Sequence, residues 1–169
     1  RGTRIRRVRG AAGTGKSALL AASAADAALD GKDVLLVGYN ITLRHTLHDL
    51  VVRRRIREFD PREVSRSVRE KVAIYYLHEW AAQVCIDTGY EKPLRILLKR
   101  HRRYPEEQVK GLVKEALEGR GCWSEETQTG ASLFDRILVD EAQNIDADWF
   151  ALIERVLRSD DSDLMVAYD

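Results

Sequence analysis

Sulfur is scarce in this chain, long apolar runs are missing, and each shortage excludes something. Only two cysteines, Cys85 and Cys122, occur in 169 residues. They have neither CxxC spacing nor a surrounding His/Cys cluster, which excludes a disulfide-stapled scaffold and a structural zinc site. They read as free thiols of a reducing compartment, behaving as small buried hydrophobes. No apolar run approaches the roughly 20 residues that span a bilayer. The basic start "RGTRIRRVRG" leads into a glycine-rich turn where a signal peptide would have its apolar core. A cytoplasmic protein without a membrane partner is therefore expected. Internal repeats and low-complexity linkers are also absent.

What is present is the composition of a globular domain, 44% hydrophobic and 33% charged. A single domain over residues 1–169 is expected. The net charge of +1 hides an asymmetry. Residues 1–103 carry 22 Lys/Arg against 11 Asp/Glu, and residues 104–169 carry 6 against 16. Such a division allows a basic face for a polyanion.

Strand and helix signals alternate. "RIRRV" predicts a short strand, "GAAGTGKS" a glycine-rich turn, and "SALLAASAADAALD" a helix that Gly31 can stop. "DVLLVGY" is a continuous apolar strand of the kind buried on both faces of a parallel sheet. "TLRHTLHDLVVRRRIREF" predicts a helix with Leu43, Leu47, Leu50 and Val51 on one face. "VAIYYL" is the next strand, leading into the helix "HEWAAQVCIDTG". Two helices are expected between Pro93 and about Gly119, the second with Pro105 in its first turn. "GCWSEETQTG" reads as loop, "DRILVDE" as a strand, "DADWFALIERVLRS" as a capped helix and "DLMVAYD" as a last strand. The alternation predicts an α/β fold with a mostly parallel sheet. Ligands of such sheets sit beyond the carboxyl ends of the strands. Those ends carry Gly10–Ser17, Tyr39–Asn40, His78, Asp140–Gln143 and Asp169.

Two of these segments carry chemistry. Gly10, Ala11, Ala12, Gly13, Thr14, Gly15, Lys16 and Ser17 fit the pattern G-x-x-x-x-G-K-[ST]. Its glycines let backbone N–H groups turn inward around phosphate oxygens, and the following helix N-terminus adds positive potential. Lys16 would reach the β- and γ-phosphates, and the Ser17 hydroxyl would bind Mg²⁺. In "ILVDEAQ", Asp140 at a strand end can hold the magnesium through water. Glu141, one residue on, points elsewhere and can orient or deprotonate an attacking water. The expected cofactors are ATP and Mg²⁺, and the expected reaction is nucleotide hydrolysis.

A P-loop of this form, followed in order by "VLLVGYNITLRHTL", "YLHEWA", "VDEAQNID" and "LMVAYD", resembles the ATP-binding 1A domain of UvrD/Rep-type superfamily 1 DNA helicases. The resemblance covers nearly the whole chain. It implies a RecA-like P-loop NTPase fold of three layers. Residues 89–132 would form a short helical and loop insertion in place of the 1B subdomain. It also implies that Asp140 is the Mg²⁺ ligand, that Glu141 is the catalytic base, and that Gln143 senses the γ-phosphate and links hydrolysis to DNA. Asn40, Thr42 and His78 would lie near single-stranded DNA, and Asp169 would open the motif that follows. The chain would be a monomeric piece of a longer protein. It would translocate on and unwind single- and double-stranded DNA together with a second RecA-like domain that supplies arginine fingers. The pattern departs from the family at Tyr76, where threonine is usual, and at Glu79, where serine is common. It departs again in that no glutamine precedes the P-loop, the first in the chain being Gln83.

Other readings of the same residues stand beside this one. Asn40 or Thr42 can cap the following helix. Tyr75, Tyr76 and Trp80 can stack bases or belong to the core. "RRRIR" and "LLKRHRR" can contact phosphates or simply be solvated. A self-contained P-loop kinase or small NTPase would need Arg100, Arg102 and Arg103 as a lid. A nucleic-acid-binding remnant would need no hydrolysis.

Overall fold

A computed structural model of the chain describes residues 4–39, 49, 60–119, 133–159 and 162–169. Asn40, Thr42 and Cys122 lie outside them, as does the expected helix from Thr42 to Phe59 apart from Asp49. The strands are β1 (Arg4–Arg9), β2 (Val34–Gly38), β3 (Val72–Tyr76), β4 (Arg136–Val139) and β5 (Asp163–Tyr168). They form one five-stranded, all-parallel sheet in the order β1-β5-β4-β2-β3. The fold is α/β.

The apolar run of β2 suits its interior place between β4 and β3, where every one of its residues is buried. Leu35 and Val37 face one core with Ile137 and Val139 of β4, while Val34 and Leu36 face a second core with Leu138. That alternation follows from the period of two along a strand. The arginine-rich β1 is mostly exposed and sits at the sheet edge.

Helices cover both cores. α1 (Lys16–Leu29) and α2 (Pro61–Lys71) pack on the second. Ala21, Ala24, Ala25 and Ala28 of α1 are buried there, small residues that let the helix approach closely. α3 (Leu77–Asp87), α4 (Glu91–Arg100), α5 (Glu106–Glu118) and α6 (Ala147–Glu154) belong to the first core. The described part of the 89–132 segment thus packs through Leu94, Val109, Val113, Ala116 and Leu117 onto the same core as the sheet. Among the described residues no helix is long and apolar enough to cross a membrane.

Three local expectations shift. Pro105 is the N-cap residue of α5 and not a member of its first turn. Leu77 begins α3 instead of ending β3. α6 stops at Glu154, short of the expected run to Ser159. There Phe134 N–H donates to the Val156 carbonyl (2.8 Å) and Arg158 N–H to the Phe134 carbonyl (2.9 Å), drawing the chain into a bridge beside β4.

Trp80 and Trp149 are fully buried and meet edge to face at 6.4 Å, a favoured aromatic geometry. Lys110 is buried against them. Its ammonium lies 5.8 Å from the Trp149 ring centre and donates to Glu107 (2.8 Å) and Asp146 (2.5 Å). Burial opposes the charge, but the hydrogen bonds to Asp146 and Glu107 outweigh it and hold the Lys110 pKa above the ordinary lysine value. Asp146, hydrogen-bonded by Lys110, sits below the usual carboxylate value and also accepts from Trp149 N–H (3.0 Å) to cap α6. Replacing Lys110 by methionine keeps the packing of the stem and removes two charged hydrogen bonds. Because Asp146 stays half-exposed, the variant should lose about 1–2 kcal/mol in urea unfolding. An unchanged midpoint would show that the ammonium contributes nothing.

Candidate functional site

All strands run the same way, so their carboxyl ends share one edge of the sheet. The order β1-β5-β4 places Gly10, Asp169 and Asp140 side by side there. The glycine-rich turn leaves β1 at Gly10, where the amide donates to the Tyr168 carbonyl (3.3 Å), and enters α1 at Lys16. Gly13 and Gly15 have φ of 79° and 88°, a region that costs other residues about 1–2 kcal/mol. No side chain caps α1. The amides of Lys16 and Ser17 in its first turn have no acceptor within the helix.

Lys16 is only 8% exposed. Its ammonium donates to the carbonyls of Gly10 (2.5 Å) and Ala11 (3.1 Å) and to the Asp169 carboxylate. The Thr14 hydroxyl donates to the same Ala11 carbonyl (2.8 Å), closing the turn.

Asp140 has no exposed surface. The Ser17 hydroxyl donates to its Oδ2 (2.6 Å) and the Glu141 amide to its Oδ1 (3.0 Å). Glu141 has left-handed backbone angles, φ 53° and ψ 41°, and is the one non-glycine residue with positive φ among those described. The 3₁₀ turn Ala142–Asn144 follows. From it Gln143 Nε2 donates to Glu141 Oε2 (2.6 Å), while its Oε1 accepts from the Asp169 amide (3.4 Å). Lys16, Asp169, Gln143, Glu141, Asp140 and Ser17 are therefore linked in one hydrogen-bonded chain across three strand ends. The sequence pattern picked out all six. That Asp169 meets Lys16 follows from β5 lying between β1 and β4, which no local pattern carries.

A lysine ammonium and open helix amides suit an oxyanion, and a Ser hydroxyl beside a buried carboxylate suits a hard cation. The Ser17–Asp140 pair offers oxygen donors of the kind Mg²⁺ takes. Among the described residues no group of three His, Cys, Asp or Glu could hold a metal. A magnesium ion here would complete its shell with phosphate and water oxygens, as it commonly does.

A second group forms farther along the same edge, at the ends of β2 and β3. His78 stacks on Tyr104 (centroids 4.1 Å, planes 28° apart) and meets Tyr39 and Tyr76 edge-on at 6.5 and 6.4 Å. Its Nε2 is buried without a hydrogen-bond partner among the described residues. Of the expected stacking candidates, Trp80 is fully buried and Tyr75 packs against the core. Tyr39, which the sequence placed at a strand end, is exposed, and so is Tyr104, the aromatic residue that local patterning missed. Burial pushes the Cys85 thiol up to about 11, which keeps it protonated and inert, as a packing residue should be.

The chain matches no protein-family model and no curated protein.

Left-handed backbone at a glutamate stores strain, which makes Glu141 unusual as a target. Glu141→Gly should leave stability unchanged or raise it by up to about 1 kcal/mol, since glycine adopts this conformation freely. A loss beyond about 1 kcal/mol in urea unfolding would show that the Gln143 contact outweighs the strain. Burial lowers the His78 pKa from its ordinary 6.5, with the Glu106 charge opposing. Well above pH 6.5 the imidazole is neutral in both the folded and unfolded chain. As pH falls below that value the unfolded chain takes up the proton first, so stability should drop with acidification. His78→Gln should flatten this slope in unfolding curves taken across the range, and an unaltered slope would assign it to other groups.

Proposed function

We propose that this chain is the ATP-binding motor domain of a superfamily 1 DNA helicase, of RecA-like P-loop NTPase type. The observation that supports it most directly is the convergence of Lys16, Ser17, Asp140 and Glu141 at neighbouring strand ends. In this reading Lys16 exchanges the Asp169 carboxylate for phosphate oxygens of ATP, and the loop amides from Gly13 to Ser17 surround the remainder. Ser17 and Asp140 would hold Mg²⁺, whose charge would offset that of the phosphates. Glu141 accepts a proton from the water that attacks the γ-phosphorus as the bond to ADP breaks. Gln143 would register the change at the phosphate, a role its bonds to Glu141 and to the Asp169 amide support.

The kinase alternative is less well supported. Its lid arginines, Arg100, Arg102 and Arg103, adjoin Tyr104, which stacks beside the β3 end. β3 and β1 are opposite edges of the sheet, about four strand spacings or roughly 19 Å apart.

Transition-state arginines would come from a second motor domain and are worth about 10³–10⁵ in rate in related phosphoryl transfer. The 169-residue chain should therefore bind a fluorescent MgATP analogue weakly and turn it over negligibly. Lys16→Ala should weaken that binding at least tenfold, whereas Glu141→Gln should leave it nearly unchanged. Binding indifferent to Lys16→Ala, or rapid DNA-stimulated hydrolysis by the chain alone, would overturn this function.

A further inference from the structure

We infer that Asp169 is an internal competitor for the phosphate site, a regulatory role that rests on the phosphate binding proposed above for Lys16. Its carboxylate holds the Lys16 ammonium until a phosphate chain displaces it, and so sets how tightly any such ligand is held.

A lysine ammonium has three N–H donors. At Lys16 three acceptors take them: the Gly10 carbonyl, the Ala11 carbonyl and the Asp169 carboxylate. A phosphate oxygen therefore cannot be added to this lysine and can only replace one of the three. Both carbonyls are fixed by the turn. The Gly10 amide donates to the Tyr168 carbonyl (3.3 Å), and the Thr14 amide (3.2 Å) and hydroxyl (2.8 Å) both donate to the Ala11 carbonyl. The carboxylate is the replaceable acceptor.

Exposure decides which partner moves. The Lys16 side chain is 7% exposed and that of Asp169 is 44% exposed. Turning the Asp169 carboxylate out to water costs little, whereas a buried ammonium deprived of any anion is strongly destabilised. The backbone of Asp169 need not follow. Its amide donates to Gln143 Oε1 (3.4 Å), and Tyr168 before it is paired with Arg9 of β1. Asp140, the neighbouring carboxylate, has no exposed surface and is held by the Ser17 hydroxyl and the Glu141 amide. One carboxylate at these strand ends is fixed and the other is exchangeable.

The contact has two opposite consequences. It neutralises a buried cation and so stabilises the fold. It must also be given up before phosphate reaches Lys16, which lowers the apparent affinity of every ligand that needs that lysine. A carboxylate that merely aimed the lysine would have the reverse effect, because removing it would weaken binding.

The test measures pyrophosphate binding by calorimetry, in phosphate-free buffer, on the full 169-residue chain. Asp169→Asn keeps the side chain's shape and removes its charge. It should tighten binding about fivefold, short of the roughly tenfold of a charge-assisted hydrogen bond because Asp169 is part-exposed. Lys16→Met should weaken binding at least about tenfold, and adding Asp169→Asn to it should bring no further gain. Lys16→Gln serves if Lys16→Met does not fold. Unchanged or weaker binding by Asp169→Asn would overturn the competitor. So would a gain that persists without Lys16, since that is charge repulsion between Asp169 and the ligand. Urea unfolding gives a readout that needs no ligand. Asp169→Asn should lower the midpoint of the parent chain and leave that of the Lys16 variant unmoved, and equal shifts in both would also overturn the role. Pyrophosphate binding indifferent to Lys16 sinks the nucleotide function itself. Lys16-dependent binding that Asp169→Asn does not tighten sinks the competitor alone.

Discussion

A carboxylate with no exposed surface must be satisfied where it stands, and Asp140 imposes that requirement on everything around it. One oxygen takes the Ser17 hydroxyl, which obliges the start of α1 to sit against the end of β4. The other takes the Glu141 amide, in a residue whose backbone is turned left-handed and whose side chain faces Gln143. Gln143 in turn reaches the Asp169 amide, and Asp169 reaches Lys16. Lys16 of the glycine-rich turn and the acidic pair are thus parts of one hydrogen-bonded network.

The parallel sheet makes this network possible. A crossover after each strand returns the chain in the same direction, so every loop that follows a strand emerges at one edge. Because β5 is inserted between β1 and β4, the last residue of the sequence meets its sixteenth. The same edge, over the next two strands, gathers Tyr39 at β2 and Tyr76 and His78 at β3, and Tyr104, just before α5, closes on His78.

Much of the fold was legible before any coordinates. The continuous apolar run of β2 announced a strand buried on both faces, and the glycines of the turn announced a backbone able to turn its N–H groups inward. The candidate site was legible too, since its glycine, lysine and acid spacings are visible within short windows of sequence. What escaped were side chains whose role depends on distant partners. Trp80 could equally have been a stacking ring or a core residue, and it is core because Trp149 lies across from it. Lys110 carried no signal of its own in the sequence, yet it is buried with Asp146 and Trp149. Tyr104 gave no signal, because its imidazole partner is far away in sequence.

By itself the sequence determined the α/β class, the glycine-rich turn between strand and helix, and the residue types able to hold a phosphate and a hard cation. Those follow from local spacing, since period, turn conformation and donor chemistry are properties of a few consecutive residues. Only the tertiary structure decided which aromatic rings face solvent, which charges are buried, and that Asp169 is the partner of Lys16. Those depend on strand order and helix placement, where residues remote in the chain come within hydrogen-bonding distance, and no short window of sequence contains both partners.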